Sequence, residues 1–400
     1  MSRSHNLYKL ALFPSRMSLP HCQCHSLYLH QPSRINPTSK RFMSSYFNGV
    51  RNYFGFNISE ESEDRDQVDE EIPYVQYPLI TKEQMKKLVQ DKFKFDFGYA
   101  SFGFHSDSIV PSINSLSDLT DPTQLNSLLP RRRPEGSPSD TLSIKAGDDT
   151  MLVSPSVLAI ADGVSGWESS GELANSGIWS RSIVETFSRL MTEYKISHTP
   201  HHLKRRDIQE ILDDSFLHTS HLMDLQKLSG SSTLVLGMLS GDMLLMISIG
   251  DSKLFIIRDG KILLTNKEET GDGFCPTQIG TNTMSKLPSD FAWIDSVKLR
   301  EGDYIVMCSD GITDNLYESE IINYLDEFVN AKKNNVKTIA NKLLIKAKEV
   351  AFDDYAYTPY NEKVNQTLNK DSSKKPHSVG GKVDDMSIVV AKVVKNSKQK

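Results

Sequence analysis

Cysteine is scarce in this chain of 400 residues, which contains only four. Cys22 and Cys24 form a C-x-C spacing that lacks the second pair needed for a zinc site. Cys275 and Cys308 are isolated, and Cys308 falls in an apolar run where a buried, inert thiol is expected. The sequence therefore excludes a scaffold built on disulfide bonds.

Long apolar runs are missing as well. No segment reaches about 18 uninterrupted apolar residues, so no transmembrane helix is predicted. The nearest approach, residues 233–249, is broken by the turn residues Ser240, Gly241 and Asp242. No glycine-rich phosphate loop precedes a helical pattern, which argues against nucleotide binding. No internal repeat is present.

Acidic residues are absent from positions 1–58, which contain seven Lys or Arg. This pattern predicts a mitochondrial presequence over residues 1–43, with the alternative of a disordered basic arm that binds nucleic acid or lipid. Residues 44–92 then form a basic and later acidic linker, with eight acids in positions 59–71. Without residues 1–43 the chain has 46 − 6 = 40 basic residues against 51 acids, so nucleic acid is not the expected partner.

The hydrophobic pattern of residues 93–396 predicts one α+β domain. Residues 108–140 are rich in Ser and Pro and are expected to form a long insertion. Strands alternate with helices in blocks and without a regular βαβ order, which favours a sandwich. Strands are predicted at 93–100, 157–161, 233–239, 243–249, 254–258, 261–265, 304–309 and 386–392, and helices at 171–194, 206–228, 318–330 and 336–351. The four strands between 233 and 265 are expected to form one antiparallel meander, and 352–377 is expected to be irregular.

Aspartates stand at the ends of several predicted strands. Asp162 follows the apolar run 157–161, Asp310 follows 304–309, and Asp384 precedes the last strand. Asp148 and Asp149 lie just upstream of the first of these. The four clusters are either independent surface turns or one metal centre assembled by folding.

A shared centre would bind hard divalent cations, which prefer oxygen ligands. We expect Asp162 to bridge two ions, with the Gly163 carbonyl, Asp310 and Asp384 completing the two ligand shells. Asp148 and Asp149 bind directly or hold coordinated waters. A water shared by two cations and held by Asp162 loses a proton readily, which suits attack on a phosphate ester.

The motifs resemble those of metal-dependent type 2C protein serine/threonine phosphatases, in the same order along the chain. The matching segments are Gly147-Asp148-Asp149, the run from Ala161 to Trp167, Gly230-Ser231-Ser232-Thr233, Ile249-Gly250-Asp251-Ser252, the run from Ser309 to Asn315, and Asp384-Asp385-Met386-Ser387. The chain is most similar to the short organellar subgroup that has Asp-Gly-Val in place of Asp-Gly-His.

The resemblance implies an α-β-β-α sandwich of two antiparallel sheets flanked by helix pairs, with a di-metal site at one rim. It implies Mg²⁺ or Mn²⁺ as cofactor, in two ions or three, and phosphoproteins as substrates. Asp162, Gly163, Asp310 and Asp384 match the family's ligands. Asp251 and Asp314 match acids of a weaker third metal, although Asp251 is equally well explained as a turn residue.

Three positions depart from the wider family. Val164 replaces a histidine proposed to protonate the leaving group. Lys145 stands near the place of an arginine that grips the substrate phosphate, but it offers only a point charge. Ser165 replaces a glycine of the subgroup, which would be unfavourable if the backbone there had a positive φ.

Other polar clusters have simpler explanations. His198, His201 and His202 lack carboxylate partners in register, so a metal role is disfavoured, and His377 is expected to face solvent. The hydroxyls at 231–233 have no assignable Asp/His pair, so capping or strand-edge hydrogen bonding suffices.

The sequence thus predicts a mitochondrial, Mg²⁺- or Mn²⁺-dependent hydrolase of phosphoserine and phosphothreonine. Two rivals stay open: a di-metal hydrolase of small phosphate esters, and a phosphatase-like regulatory module without turnover.

Overall fold

A computed structural model describes residues 91–105, 110–116, 141–164, 173–198, 202–269, 275–283, 285–331, 335–368 and 378–396. Two antiparallel sheets dominate these residues. The first has seven strands: β2 (Ser112–Ser115), β3 (Leu142–Ala146), β4 (Asp149–Val153), β5 (Val157–Ala161), β9 (Leu234–Ser240), β10 (Met243–Ile249) and β14 (Trp293–Lys298). The second has five: β1 (Phe93–Phe102), β11 (Lys253–Arg258), β12 (Lys261–Thr265), β15 (Tyr304–Cys308) and β16 (Met386–Lys395).

The strand order is β14-β10-β9-β5-β4-β3-β2 in the larger sheet and β1-β16-β15-β11-β12 in the smaller. Short strands β6 (Leu173–Ala174) and β7 (Leu228–Ser229) pair in parallel, and β8 (Ser231–Ser232) pairs with β13 (Ile279–Gly280) in antiparallel fashion. The central strands β5 and β9 are buried along their whole length, and β15 is buried except at Tyr304, as expected for sheets covered on both faces.

Helices cover the outer face of each sheet. They are α1 (Ser176–Ser197), α2 (Arg205–Leu225), α3 (Asp310–Thr313), α4 (Glu318–Asn330), α5 (Val336–Ala351) and α6 (Pro359–Leu368). Asparagine side chains cap two of them: Asn175 accepts from the backbone N–H of Ile178 at 2.8 Å, and Asn335 from that of Thr338 at 2.9 Å.

Three apolar clusters define the layers. One lies between the two sheets and contains residues from both, such as Ile160 of the seven-stranded sheet and Met307 of the five-stranded sheet. A second packs α1 and α2 on the seven-stranded sheet around Trp179 and Phe216. The third packs α4 and α5 on the five-stranded sheet around Phe255. The predicted α-β-β-α sandwich is therefore confirmed.

The predicted meander over 233–265 is wrong in one respect. β9 and β10 pair in one sheet, whereas β11 and β12 pair in the other. The chain crosses between sheets at Gly250, whose φ of +96° favours glycine. A side chain there would also collide with the carbonyl of Thr277 at 2.7 Å. The crossing places Asp251 between the two sheets.

Two irregular stretches contain regular structure. Helix α6 lies within 352–377, and β2, at the start of the 108–140 insertion, forms an edge strand beside β3. Residues 108–109 and 117–140 of the insertion, the presequence and most of the linker lie outside the described residues. Over the described part of the chain, no helix has both the length and the apolar character required to cross a bilayer.

Candidate metal centre

The aspartates meet at one rim because strand ends from both sheets meet there. Asp162 follows β5 of the seven-stranded sheet, and Asp310 follows β15 of the five-stranded sheet. Asp384 and Asp385 directly precede β16, which pairs with β15. Asp149 begins β4, next to the end of β5. Folding thus brings the strand-end carboxylates of the sequence analysis to one place.

Asp162 and Gly163 are held by the backbone of the 231–233 segment. The Asp162 carbonyl accepts the Thr233 N–H at 2.9 Å, and Gly163 forms a bridge with Ser232. A Cβ on Gly163 would lie 2.6 Å from the carbonyl oxygen of Asp148, so only glycine fits between these two chain segments. The Ser231 hydroxyl donates to Gln278, and the Thr233 hydroxyl accepts the Asp162 N–H at 3.3 Å, so these two hydroxyls tie the segment to its neighbours.

Asp149 is fully buried beside Asp162. Its Oδ2 accepts the Ser309 hydroxyl at 2.8 Å, whereas its Oδ1 has no hydrogen-bond partner among the described residues. Burial and then the charge of Asp385 raise the pKa of Asp149 well above its ordinary value. An orphaned buried carboxylate oxygen is costly and calls for a cation.

Asp310, Asp314 and Asp384 surround a lysine that the sequence analysis did not single out. The Lys382 ammonium lies 2.6 Å from Asp310, 2.7 Å from Asp314 and 3.1 Å from Asp384. Burial opposes the charge, but Asp310, Asp314 and Asp384 together raise the pKa of Lys382 well above its ordinary value. Burial also acts to raise the pKa of Asp310, yet Lys382 leaves it lowered.

Burial and neighbouring negative charges raise the pKa values of Asp162 and Asp251. Burial first, and then the charges of Asp149 and Asp310, raise the pKa of Asp162 well above its ordinary value. Asp251, at the crossing between the sheets, has an unpartnered buried Oδ1, and burial raises its pKa to about 8. The rim therefore carries more negative charge than its described neighbours neutralise.

These residues fit divalent cations by chemistry and by their unmet hydrogen-bonding capacity. Hard oxygen donors predominate, and the orphaned oxygens of Asp149 and Asp251 both lie in the cluster. Within the described ranges, no group of three His, Cys, Asp or Glu side chains is arranged so that it could hold a metal ion. The Lys382 ammonium lies between three of the carboxylates.

Lys145 lies at the edge of the same rim. Its ammonium donates to the Gly147 carbonyl at 2.5 Å. A Cβ on Gly177, in the first turn of α1, would lie 2.6 Å from the Lys145 Nζ and 2.7 Å from the Asp148 carboxylate. The glycine thus leaves the space in which Lys145 approaches Asp148.

Asp385 connects the segments that carry the other residues. Its Oδ1 accepts the backbone N–H groups of Phe104, at 2.6 Å, and His105, at 3.0 Å. Its Oδ2 accepts the N–H of Asp148 at 2.8 Å. This role could not be predicted from the sequence, because these partners are 237 to 281 residues away in the chain.

His105 is a second residue that the sequence analysis missed. Its Nδ1 lies 3.4 Å from Asp385 and 3.6 Å from Asp384. A hydrogen bond to Asp385 raises the pKa of His105 to about 9, although burial opposes the charge. No histidine follows Asp162-Gly163, yet an imidazole reaches this rim from the end of β1.

The other histidines do not join the centre. His198 stacks on Tyr194 at 3.9 Å between ring centroids, and His202 faces Asp91 at 3.9 Å, both away from the rim. His201, His377 and Ser165 lie outside the described residues.

Asp251 gives a prediction for stability without metal. Because its folded-state pKa is about 8 against an ordinary 3.8, the folded protein binds the extra proton between these values. The free energy of unfolding therefore falls as pH rises through this window. Asp251→Asn cannot titrate, so in chelator its melting temperature should exceed that of the wild type at pH 8 by at least about 3 °C.

The same comparison at pH 5 is the control, since there Asp251 is protonated in the folded protein and the advantage of the variant should shrink. Thermal unfolding in EDTA at both pH values measures this difference. An equal advantage at pH 5 and pH 8 would contradict the assignment of the effect to the Asp251 charge.

Comparison with known proteins decides the family. The profile described as Protein phosphatase 2C matches residues 146–345, half of the chain. This chain belongs to the protein phosphatase 2C family. Membership places it among the protein serine/threonine phosphatases, and the match spans Asp149, Asp162 and Asp310.

Curated relatives agree with this family. Probable protein phosphatase 2C 1 of Oryza sativa subsp. japonica is 29% identical over 255 residues, covering 62% of this chain and 70% of the relative. Protein phosphatase PTC7 homolog fig of Drosophila ananassae is 26% identical over 270 residues, covering 64% and 76%. Among solved structures, the photosystem II phosphatase PBCP covers 74% of this chain and 98% of its own, with a TM-score of 0.52 and 22% identity, which supports the fold.

Proposed function

We propose that this protein phosphatase 2C family member hydrolyses phosphoserine and phosphothreonine in proteins with Mg²⁺ or Mn²⁺ as cofactor. The observation that carries the proposal is the convergence of Asp149, Asp162 and Asp251 with Asp310 and Asp384, in which two buried carboxylate oxygens lack partners. Divalent cations in such a site activate water as a nucleophile and neutralise charge on the phosphoryl group.

The residues of this chain would share the work as follows. Asp162, the Gly163 carbonyl, Asp310 and Asp384 would hold the cations, and the buried Asp149 would add negative charge behind them. Asp148, whose carbonyl lies beside Gly163, would hold a solvent molecule in the ligand shell. The rim is formed by rigid strand ends, so the carboxylates keep their positions during turnover.

The proposal is tested by phosphate release from phosphoserine and phosphothreonine peptides and from a chromogenic ester. Turnover of the peptides should require Mn²⁺ or Mg²⁺ and stop in chelator. Turnover of the small ester alone would favour a hydrolase of small phosphates. Absence of turnover on every substrate, with metal bound, would favour a regulatory module.

Lys145 is proposed to bind the substrate phosphate. It stands at the rim where an ammonium can meet a phosphoryl oxygen, and it sits beside the amino terminus of α1, which also favours anions. Lys145→Met should raise KM for phosphopeptides about tenfold, equivalent to one charge-assisted hydrogen bond. Lys298→Met, an exposed lysine paired with Asp242, is the matched control and should leave KM unchanged. An unaltered KM in Lys145→Met would remove this role.

We further propose a mitochondrial location, on the acid-free and basic composition of residues 1–58. The full chain and a version that starts at Ser44, each fused to the same reporter, should differ in cells. Only the full chain should enter mitochondria. Import of the shortened chain would contradict the presequence over residues 1–43.

A further inference from the structure

Large apolar side chains are exposed to solvent next to residues 380–385, the segment that carries two of the rim acids. Phe352 is 54% exposed, Tyr355 89%, Val379 53% and Phe104 48%. We call these four residues the apolar patch. Single exposed apolar residues are common on protein surfaces, whereas a group of them marks a contact surface.

Hydrogen bonds hold two members of the apolar patch together. The backbone N–H groups of residues 380 and 381 donate to the carbonyls of Ala356, at 2.8 Å, and Asp353, at 2.9 Å. These bonds fasten the turn after α5 to the segment that leads to the rim. Val379 therefore lies beside the turn that presents Tyr355.

Phe352 and Phe104 connect the apolar patch to the rim through β1. The Phe352 ring packs edge-on against Phe102, with 6.0 Å between the centroids, and the Lys348 ammonium covers the Phe102 ring at 3.7 Å. Two residues further along, the N–H of Phe104 donates to Asp385 at 2.6 Å. The apolar patch thus borders the metal centre.

The distance from the apolar patch to the rim corresponds to a few residues of extended chain. A Cβ on Gly380 would lie 3.1 Å from the Asp354 carbonyl, so Gly380 contacts the turn directly. Gly380 precedes Asp384 by four positions, which limits their separation to about 14 Å. An extended peptide advances about 3.3 Å per residue. A peptide with its phosphoserine at the rim can therefore place a residue about four positions away on the apolar patch.

The charges around the turn indicate which peptides fit. Asp353 and Asp354 are both exposed and directly precede Tyr355, and the Asp353 carboxylate accepts the Tyr355 N–H at 2.9 Å. The nearby Lys348 ammonium lies over the Phe102 ring. An apolar surface bordered by two negative charges is complementary to an apolar side chain next to a Lys or Arg.

We propose that the apolar patch binds the protein substrate beside its phosphorylated residue. It selects phosphorylation sites with a large apolar side chain, next to a Lys or Arg, within about four positions of the phosphoserine. The occupant is the substrate because the patch is continuous with the segment that carries Asp384 and Asp385, so a chain that leaves the rim on this side crosses it. The inference rests on the proposed phosphatase function and specifies its substrate class.

Steady-state kinetics of the full chain with Mn²⁺ test this proposal. The substrates are phosphoserine peptides with a single Leu placed in turn at each position within four residues of the phosphoserine, and a parent peptide with Ser at all of them. At one or more positions, Leu should raise kcat/KM about tenfold over the parent, because its side chain is removed from water. Tyr355→Ser should reduce this ratio to about two, and Val379→Ser should reduce it less. The ratio is taken within one enzyme, so the fraction of folded protein cancels.

A charge comparison and a control variant complete the test. A Lys next to the favourable Leu should raise kcat/KM about threefold further, and Asp354→Asn should remove this gain. Leu263→Ser changes an exposed apolar residue on β12, at the opposite edge of the five-stranded sheet from β1. It should keep the tenfold preference for Leu.

The outcomes separate this inference from the proposed function. Equal kcat/KM for all peptides, or a Leu preference that Tyr355→Ser and Val379→Ser leave unchanged, would overturn the inference while a phosphatase remained. A wild-type dimer in sedimentation that Tyr355→Ser dissociates would assign the apolar patch to a second copy of this chain and would also overturn it. Absence of turnover on every phosphopeptide would overturn the proposed function itself.

Discussion

Asp162→Asn is expected to lose about 10³-fold in kcat/KM for a phosphopeptide in saturating Mn²⁺. The amide has the shape of the carboxylate but not its charge. Burial, and then the charges of Asp149, Asp310 and Asp384, raise the pKa of Asp162, so its carboxylate lies among the other acids. A loss of this size is expected if the Asp162 carboxylate holds the cations. A carboxylate with only a packing role would give a much smaller loss of kcat/KM.

The melting temperature of the same variant tests whether its loss of activity is caused by misfolding. Because the charge of Asp162 is unfavourable without metal, Asp162→Asn in chelator should melt at or above the temperature of the wild type. Asp242→Asn changes an acid in the β9–β10 turn, where it pairs with Lys298, and should leave both quantities unchanged. Full activity of Asp162→Asn would contradict the assigned site.

Asp385→Ala is expected to cost about 3 kcal/mol of folding free energy and to lower kcat about 10²-fold. The carboxylate accepts three backbone N–H groups, from Phe104, His105 and Asp148. Its removal leaves those donors unpaired and releases the segment that carries Asp148. Urea unfolding and steady-state kinetics measure the two effects.

Asp303 is a matched control for this prediction. It is also buried, accepts the Arg300 N–H at 2.7 Å and pairs with Arg258 at 2.7 Å, but it stands at the opposite end of β15 from Asp310. Asp303→Ala should destabilise the fold by a similar amount and keep kcat. Equal losses of kcat in the two variants would mean that Asp385 acts on stability alone.

Local patterns predicted the elements that local forces determine. The periodicity of apolar residues gave α4 and α5 with their observed bounds, because each buries one continuous face on the five-stranded sheet. Helix α6 was missed since its ten residues are mostly polar, and two of its buried side chains are the asparagines Asn361 and Asn365. The length and apolar content of β2 were also too low to mark it within a Ser- and Pro-rich stretch.

Sheet membership could not be predicted from local patterns. Turn residues at 240–242 and 250–252 have the same composition of Gly, Asp and Ser. The first closes a hairpin within one sheet, whereas the second carries the chain to the other sheet. The choice depends on which sheet the apolar face of β11 can cover, and that is a property of the whole fold.

Some residues of the candidate site could be predicted from local patterns, and others depend on the whole fold. Strand-end aspartates such as Asp162 and Asp310 can be found in sequence, because the apolar periodicity marks the strands and the aspartate recurs at several of their ends. Lys382 and His105 could not be assigned, since neither the Gly-Gly-Lys segment nor the end of β1 indicates which acids it will contact. Long-range contacts to Asp310 and Asp385 give these two residues their place.

The central claim is that acids remote in the chain hold a pair of divalent cations. An anomalous difference map from crystals grown with Mn²⁺ tests it most directly. We predict two peaks within coordinating distance of Asp162, one of them shared with Asp310 and Asp384. Crystals that bind Mn²⁺ elsewhere, with no peak at the Asp162 carboxylate, would contradict the account.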